Sequence, residues 1–113
     1  MCWSNYISEY LSYLKIEKSL SRNSIEAYQR DIYMLQNYLE LHKLKVQPVQ
    51  INLQHLRDFI NWINELGISA RTQARIISGI KSFYKFLLLD EKIENDPTAL
   101  LEAPRIGRKL PVI

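Results

Sequence analysis

Apolar residues recur along most of this chain at intervals of three and four, the period of helices packed through one face. Trp3, Tyr6, Ile7, Tyr10, Leu11 and Leu14 predict an amphipathic first helix over residues 3–17. The pattern fails at Lys15-Ile16-Glu17-Lys18-Ser19, which reads as a connector. Ile25, Tyr28, Ile32, Leu35 and Leu39 set a second stripe reaching about His42, with Arg30 and Asn37 opposite it. Either Ser21 or Asn23 can cap this helix, and Asn23 with Glu26 three residues on has the form of a capping box. Residues 43–51 contain Pro48 and no helical period, so they read as a loop. Asn52 is placed to cap a third helix whose stripe is Leu53, Leu56, Phe59, Ile60, Ile63 and Leu66, with Gly67 as its stop.

The fourth segment, residues 69–89, organises the rest. With Ser69 as N-cap, Gln73, Ile76, Ile77, Ile80, Phe83, Tyr84, Leu87 and Leu88 share one side of a helix. Arg71, Arg75, Ser78, Ser82 and Lys85 occupy the other side, within roughly 80° of arc. The short connection after Gly67 makes the third and fourth helices neighbours. Gly79 is unusual inside a helix, where it costs about 1 kcal/mol relative to Ala. Its position between the two faces predicts close packing of another helix there, in preference to a partner's backbone. Beyond this helix, Asp96-Pro97 reads as an N-cap followed by proline at N1, opening a short fifth helix through Leu100 and Leu101. Residues 103–113 carry Pro104 and Pro111 around Arg105-Ile106-Gly107-Arg108-Lys109-Leu110 and read as an extended linker. The expected division is a helical domain over 1–102 and the start of an interdomain linker over 103–113. Nothing resembles a strand, a repeat or a low-complexity tract, so the fold class is all-α.

Charge changes this picture more by its distribution than by its net value of +3. Residues 1–68 carry seven basic and seven acidic side chains, which cancel. Residues 69–89 carry Arg71, Arg75, Lys81 and Lys85 and no acid, residues 90–102 are acidic, and 103–113 are basic again. A helix face shaped only for solubility usually mixes both signs, so this one points to an anionic partner. The plain alternative is scatter in a small sample. At the start of the second helix, the free N–H groups and the helix dipole favour an anion as well.

Catalytic and metal chemistry is largely excluded. His42 and His55 are isolated, and Cys2 is the single cysteine, so neither a zinc site nor an internal disulfide is expected. There is no phosphate-cradling Gly-rich loop and no nucleophile–base pair with supporting spacing. Six of the seven tyrosines lie on the first two helices, where packing with the hydroxyl at the rim is the expected role. No cofactor and no small-molecule ligand are implied. No apolar run approaches the ~18 residues of a membrane span, and the first residues lack the form of a secretory signal. Cytoplasmic residence is the expectation.

Three blocks carry a resemblance. Leu20-Ser21-x-Asn23-Ser24-x-x-Ala27-Tyr28-x-Arg30-Asp31-Ile32 resembles the "LSxNTxxAYxRDL" block of tyrosine site-specific recombinases. Ala74-Arg75-x-Ile77-Ser78-x-Ile80-Lys81-Ser82-Phe83-Tyr84-Lys85-Phe86-Leu87 resembles their "aRxLSaLRsFYrFL" helix. Asn95-Asp96-Pro97-x-x-x-Leu101-x-x-Pro104-x-x-Gly107-Arg108-x-Leu110-Pro111 resembles "eNPaxxLxxPKxgrkLP", with Asp96 and Arg105 as departures that keep the cap and the charge. Together, in this order, the blocks are similar to the Xer-type branch of the family.

The resemblance implies a SAM-like bundle of four to five helices, the core-binding domain that forms half of a clamp around double-stranded DNA. The other half, a catalytic domain with a tyrosine nucleophile, has no counterpart in these motifs. Strand exchange, in chromosome-dimer resolution or element integration, is then expected of a longer parent assembled with other recombinase protomers. For this chain the expectation is DNA binding without catalysis. Carried onto matching positions, the DNA-facing residues are Ser21, Asn23, Ser24 and Arg30 from the second helix. From the fourth they are Arg71, Thr72, Arg75, Ser78 and Lys81. The competing expectation is a helical module that docks an acidic protein and binds no DNA.

Overall fold

A computed structural model of the chain describes residues 3–101, and the expected linker over 103–113 lies outside the described residues. Four α-helices carry the fold: α1 (Trp3–Ile16), α2 (Arg22–Leu41), α3 (Leu53–Glu65) and α4 (Ala70–Leu89). No strand occurs among the described residues. The breaks at residues 17–21, 42–52 and 66–69 fall where the apolar period lapses.

The caps explain where the helices begin. Ser21 Oγ accepts from Ser24 N at 3.2 Å and is the cap of α2, so the Asn23–Glu26 box does not form. Ser69 does the same for α4, accepting from Thr72 N at 3.2 Å. Asn52 caps α3 reciprocally, its Oδ1 accepting from His55 N at 3.0 Å while His55 Nδ1 accepts from Asn52 N at 3.1 Å. His55 therefore has a capping role. Gly67 stops α3 in the left-handed region, with φ of +84°, where a side chain is unfavourable.

The two longest helices, α2 and α4, share the largest contact; α1 lies against both, and α3 packs on α4. The core runs through Tyr10, Ile32, Leu35, Leu56, Phe59, Ile63, Ile80, Phe83, Tyr84 and Leu87, all fully enclosed. Tyr10 meets Phe83 edge-on at 5.2 Å and Tyr13 lies 4.9 Å from Phe86, centroid to centroid. Phe86 is buried and Leu88 is 38% exposed, the reverse of the periodic expectation, because α1 reaches α4 on the side where Phe86 projects. Leu66 is also exposed, since α3 has ended one residue before it.

Tyr10 differs from the rim placement, and Tyr84 lies in the core as the stripe of α4 predicts. Tyr10 and Tyr84 are enclosed completely and bond inside the protein, Tyr10 to Ser82 Oγ at 2.9 Å and Tyr84 to the Pro48 carbonyl at 2.8 Å. The Tyr84 bond, with Trp3 Nε1 donating to the Val46 carbonyl at 2.9 Å, ties the 42–52 connection to the core. That connection contains a 3₁₀ turn at Pro48–Gln50, too short to leave a periodic signature. The expected fifth helix does not form: residues 97–100 are consecutive turns with i→i+3 bonds, Ala99 N to Asp96 O and Leu101 N to Thr98 O. Asp96 keeps its capping action there, its Oδ1 accepting from Thr98 N at 2.8 Å and from Thr98 Oγ1 at 2.6 Å. Six residues from Asp96 to Leu101 supply too few bonds to offset helix nucleation.

Candidate nucleic-acid interface

The crossing of α2 over α4 is built on Gly79. A Cβ at this position would stand 2.5 Å from Asp31 Oδ2 and 2.9 Å from Asp31 Cβ, so the bare glycine gives Asp31 its place. Asp31, 3% exposed, accepts from Arg75 Nη1 at 2.9 Å through Oδ1. Burial pushes its carboxyl up to about 6, against the pull of Arg75 and then of Arg30, both of which favour the charged form. Desolvation outweighs the ion pair.

This pair corrects the charge reading twice. Arg75 has an acidic partner after all, supplied by α2 and invisible to the arithmetic of α4 alone. Asp31, one of the seven acids that cancel the seven basic side chains of residues 1–68, is withdrawn from the surface, which leaves the exposed side of α2 more positive than its sequence sum. Arg75 is anchored through one nitrogen while its side chain remains 46% exposed, so its outer edge faces solvent.

The other nominated residues fall into distinct places. Ser21, Asn23 and Ser24 stand at the N-terminus of α2, about 10–15 Å along the helix axis from Asp31. Ser21 and Asn23 are exposed there, while Ser24 is half-buried and engaged with the cap. Arg30 is exposed beside the crossing, close enough to act on Asp31. Arg71 is exposed one turn before Arg75 and makes no hydrogen bond or ion pair among the described residues; Thr72 is tied to the Ser69 cap, its Oγ1 accepting from Ser69 Oγ at 3.1 Å. Ser78 is exposed and Lys81 half-buried, and both line a cleft between α4 and the end of α1. The fold thus brings Arg30 and Arg75 together around Asp31, and Ser78 and Lys81 around one cleft. No hydrogen bond or ion pair among the described residues joins the α2 cap to α4.

The cleft also holds Lys18 and Lys85, which were not among the nominated residues. Lys85 was visible as part of the basic side of α4. Lys18 gave no signal, because a connector has no period from which to read its direction. Ser82, counted with the exposed hydroxyls, is half-buried and accepts from Tyr10. Gln73 is buried and donates from Nε2 to Ile68 O at 2.8 Å and Asn64 Oδ1 at 3.1 Å, fixing the angle at which α4 leaves α3. His42 packs on Tyr38 and Trp62. Among the described residues no cluster of His, Cys, Asp and Glu is arranged to hold a metal, and no helix is long and apolar enough to cross a membrane.

The arrangement is a cationic surface with hydroxyls, and among the described residues no nucleophile, base and oxyanion site converge. It suits an extended polyanion better than a small substrate. Residues 7–91 match the family described as phage integrase, N-terminal SAM-like domain. The chain is 39% identical over 105 residues to the tyrosine recombinase XerD of Staphylococcus saprophyticus, covering 93% of this chain and 35% of that protein. It is 37% identical over 108 residues to the XerD of Rickettsia conorii, covering 96% and 35%. No solved structure matches the chain significantly. The chain spans about a third of the length of these relatives. It belongs to the phage integrase family of tyrosine recombinases, with residues 7–91 as the N-terminal SAM-like domain.

Proposed function

We propose that this domain binds double-stranded DNA as one half of a clamp, in site-specific recombination such as chromosome-dimer resolution or element integration. The observation that carries the reading is the charge asymmetry of α4: four cations and no carboxylate over residues 69–89, with Arg71 exposed and without an ion pair among the described residues. The surface of α2 supports it, since burial of Asp31 removes a negative charge beside Arg30. Arg71, Arg75, Lys81 and Arg30 meet phosphates; the α2 and α4 N-termini, with Ser21, Asn23, Ser24, Thr72 and Ser78, add short-range donors. Breakage and joining of strands belong, in this reading, to the part of the relatives that this chain does not match, and other recombinase protomers complete the assembly.

Titration of a labelled duplex at low salt tests the proposal. Binding is expected to be weak, because a half-clamp makes few phosphate contacts, and to weaken further as salt rises. Absence of any shift at low salt, together with stoichiometric self-association, would instead favour a protein-docking module.

A further inference from the structure

The cleft between α4 and the end of α1 has a volume of about 270 Å³ and is lined by Lys18, Lys81 and Lys85, with Tyr13, Ser78 and Ser82. No carboxylate of the described residues lines it. The ion pairs among the described residues are Arg75–Asp31 and Lys92–Asp90, so none of these three lysines is paired within that set. Lys81 and Lys85 are one turn apart on the same side of α4, where like charges repel. Lys18 comes from a different element and is held in place by its backbone. Its N–H bonds to the Tyr13 carbonyl at 3.3 Å, Leu20 N bonds to Leu14 O at 3.1 Å, and Ser19 between them takes φ of +53°. Ser82 accepts from Tyr10, which leaves its own hydrogen free to donate.

Two accounts of this convergence compete. Cations near helix C-termini complement the dipole, and Lys18 follows the end of α1 closely. That account does not reach α4, whose last turn contains no basic residue, and it leaves Lys81 and Lys85 unexplained. An anion in the cleft accounts for all three.

We propose that Lys18, Lys81 and Lys85, with the hydroxyls of Ser78 and Ser82, hold a backbone phosphate of the bound duplex, extending the DNA-facing surface from α4 onto the end of α1. This rests on the DNA-binding reading above. Among these residues, Lys18 and Lys85 are new contacts, and α1 becomes a contributor to binding as well as a packing element.

The test is the salt dependence of affinity for a labelled duplex, measured on the whole chain with Lys18→Gln/Lys85→Gln and with Lys43→Gln/Lys45→Gln. Both pairs remove the same formal charge, the second from the exposed connection after α2. Each lost phosphate contact lowers the slope of log K against log salt by about 0.9. The cleft variant is therefore expected to lose about 0.9 units of slope, so that its affinity falls roughly threefold less than wild type's between 50 and 200 mM salt. The control is expected to stay near the wild-type slope, and Lys18→Arg/Lys85→Arg, which keeps both charges, to bind as wild type does. Equal slopes for the two Gln pairs would overturn the cleft while leaving DNA binding standing. No binding by wild type would remove the DNA reading itself. A lower melting temperature for the cleft variant with an unchanged slope would assign Lys18 to the dipole. Melting in inorganic phosphate against chloride at equal ionic strength separates sources: stabilisation of wild type by free phosphate alone, without a slope change, would contradict a DNA contact.

Discussion

Asp31 is the residue where stability and binding compete. Its carboxyl titrates at about 6 in the folded protein against 3.8 for the free group, because burial outweighs the pull of Arg75. A raised carboxylate holds its proton in the folded state over a range where the unfolded chain has lost it. The corresponding stabilisation is complete below about pH 4 and disappears as pH rises through about 6. The difference of roughly two units corresponds to about 3 kcal/mol as an upper figure. Asp31→Asn keeps the shape, cannot titrate and removes this dependence. Melting temperatures of the two proteins across pH 4–7 are expected to converge or cross as pH rises, with the wild type losing ground. Parallel curves would mean that Asp31 titrates as an exposed acid does. Arg75→Ala has the opposite defect: it strips a buried carboxylate of its charged donor and is expected to destabilise by about 1.5–3 kcal/mol in chemical denaturation. Its effect on DNA binding is thereby mixed with an effect on the α2–α4 crossing.

Among elements, α4 decides the geometry, and Gly79 is its critical point. Gly79→Ala gains about 1 kcal/mol of helix propensity. The added methyl, however, meets Asp31 Cβ at 2.9 Å as well as the carboxylate. Because Cβ cannot swing away as a side-chain tip can, the helices must separate, and overpacking of this kind costs about 1–3 kcal/mol. Net destabilisation in urea titration is expected, with Gly79→Leu worse; a stabilised Gly79→Ala would show that the crossing is looser than described. The close approach at Gly79 was legible from its place between two faces of one helix. The identity of the partner was not, since Asp31 lies 48 residues away and nothing local marks it for burial. The same limit explains the other misses. Helices and caps rest on spacing and on residues three positions apart, which a sequence displays directly. Arg75's partner, Phe86 in place of Leu88 and the direction of Lys18 are set by which helix lies opposite, and periodicity along one helix does not encode that. The turn at 97–100 failed as a helix for want of length, although its cap was read correctly.

At the scale of the whole molecule, Arg71, Lys81 and Lys85 on α4 and Lys18 just after α1 make no ion pair among the described residues. In the proposed DNA-binding role such a surface acts through counterion release, which depends on contacts made and only weakly on total charge. Arg71 is the cleanest probe, being exposed and free of the Asp31 network. The decisive measurement is affinity for a labelled duplex against salt concentration for wild type, Arg71→Ala and Lys43→Ala, with helix content checked in each. The account predicts that Arg71→Ala lowers the slope of log K against log salt by about 0.9 and weakens binding to the same degree on unrelated sequences. Lys43→Ala is predicted to leave the slope unchanged. Equal slopes for the two variants would contradict the assignment of this face to DNA.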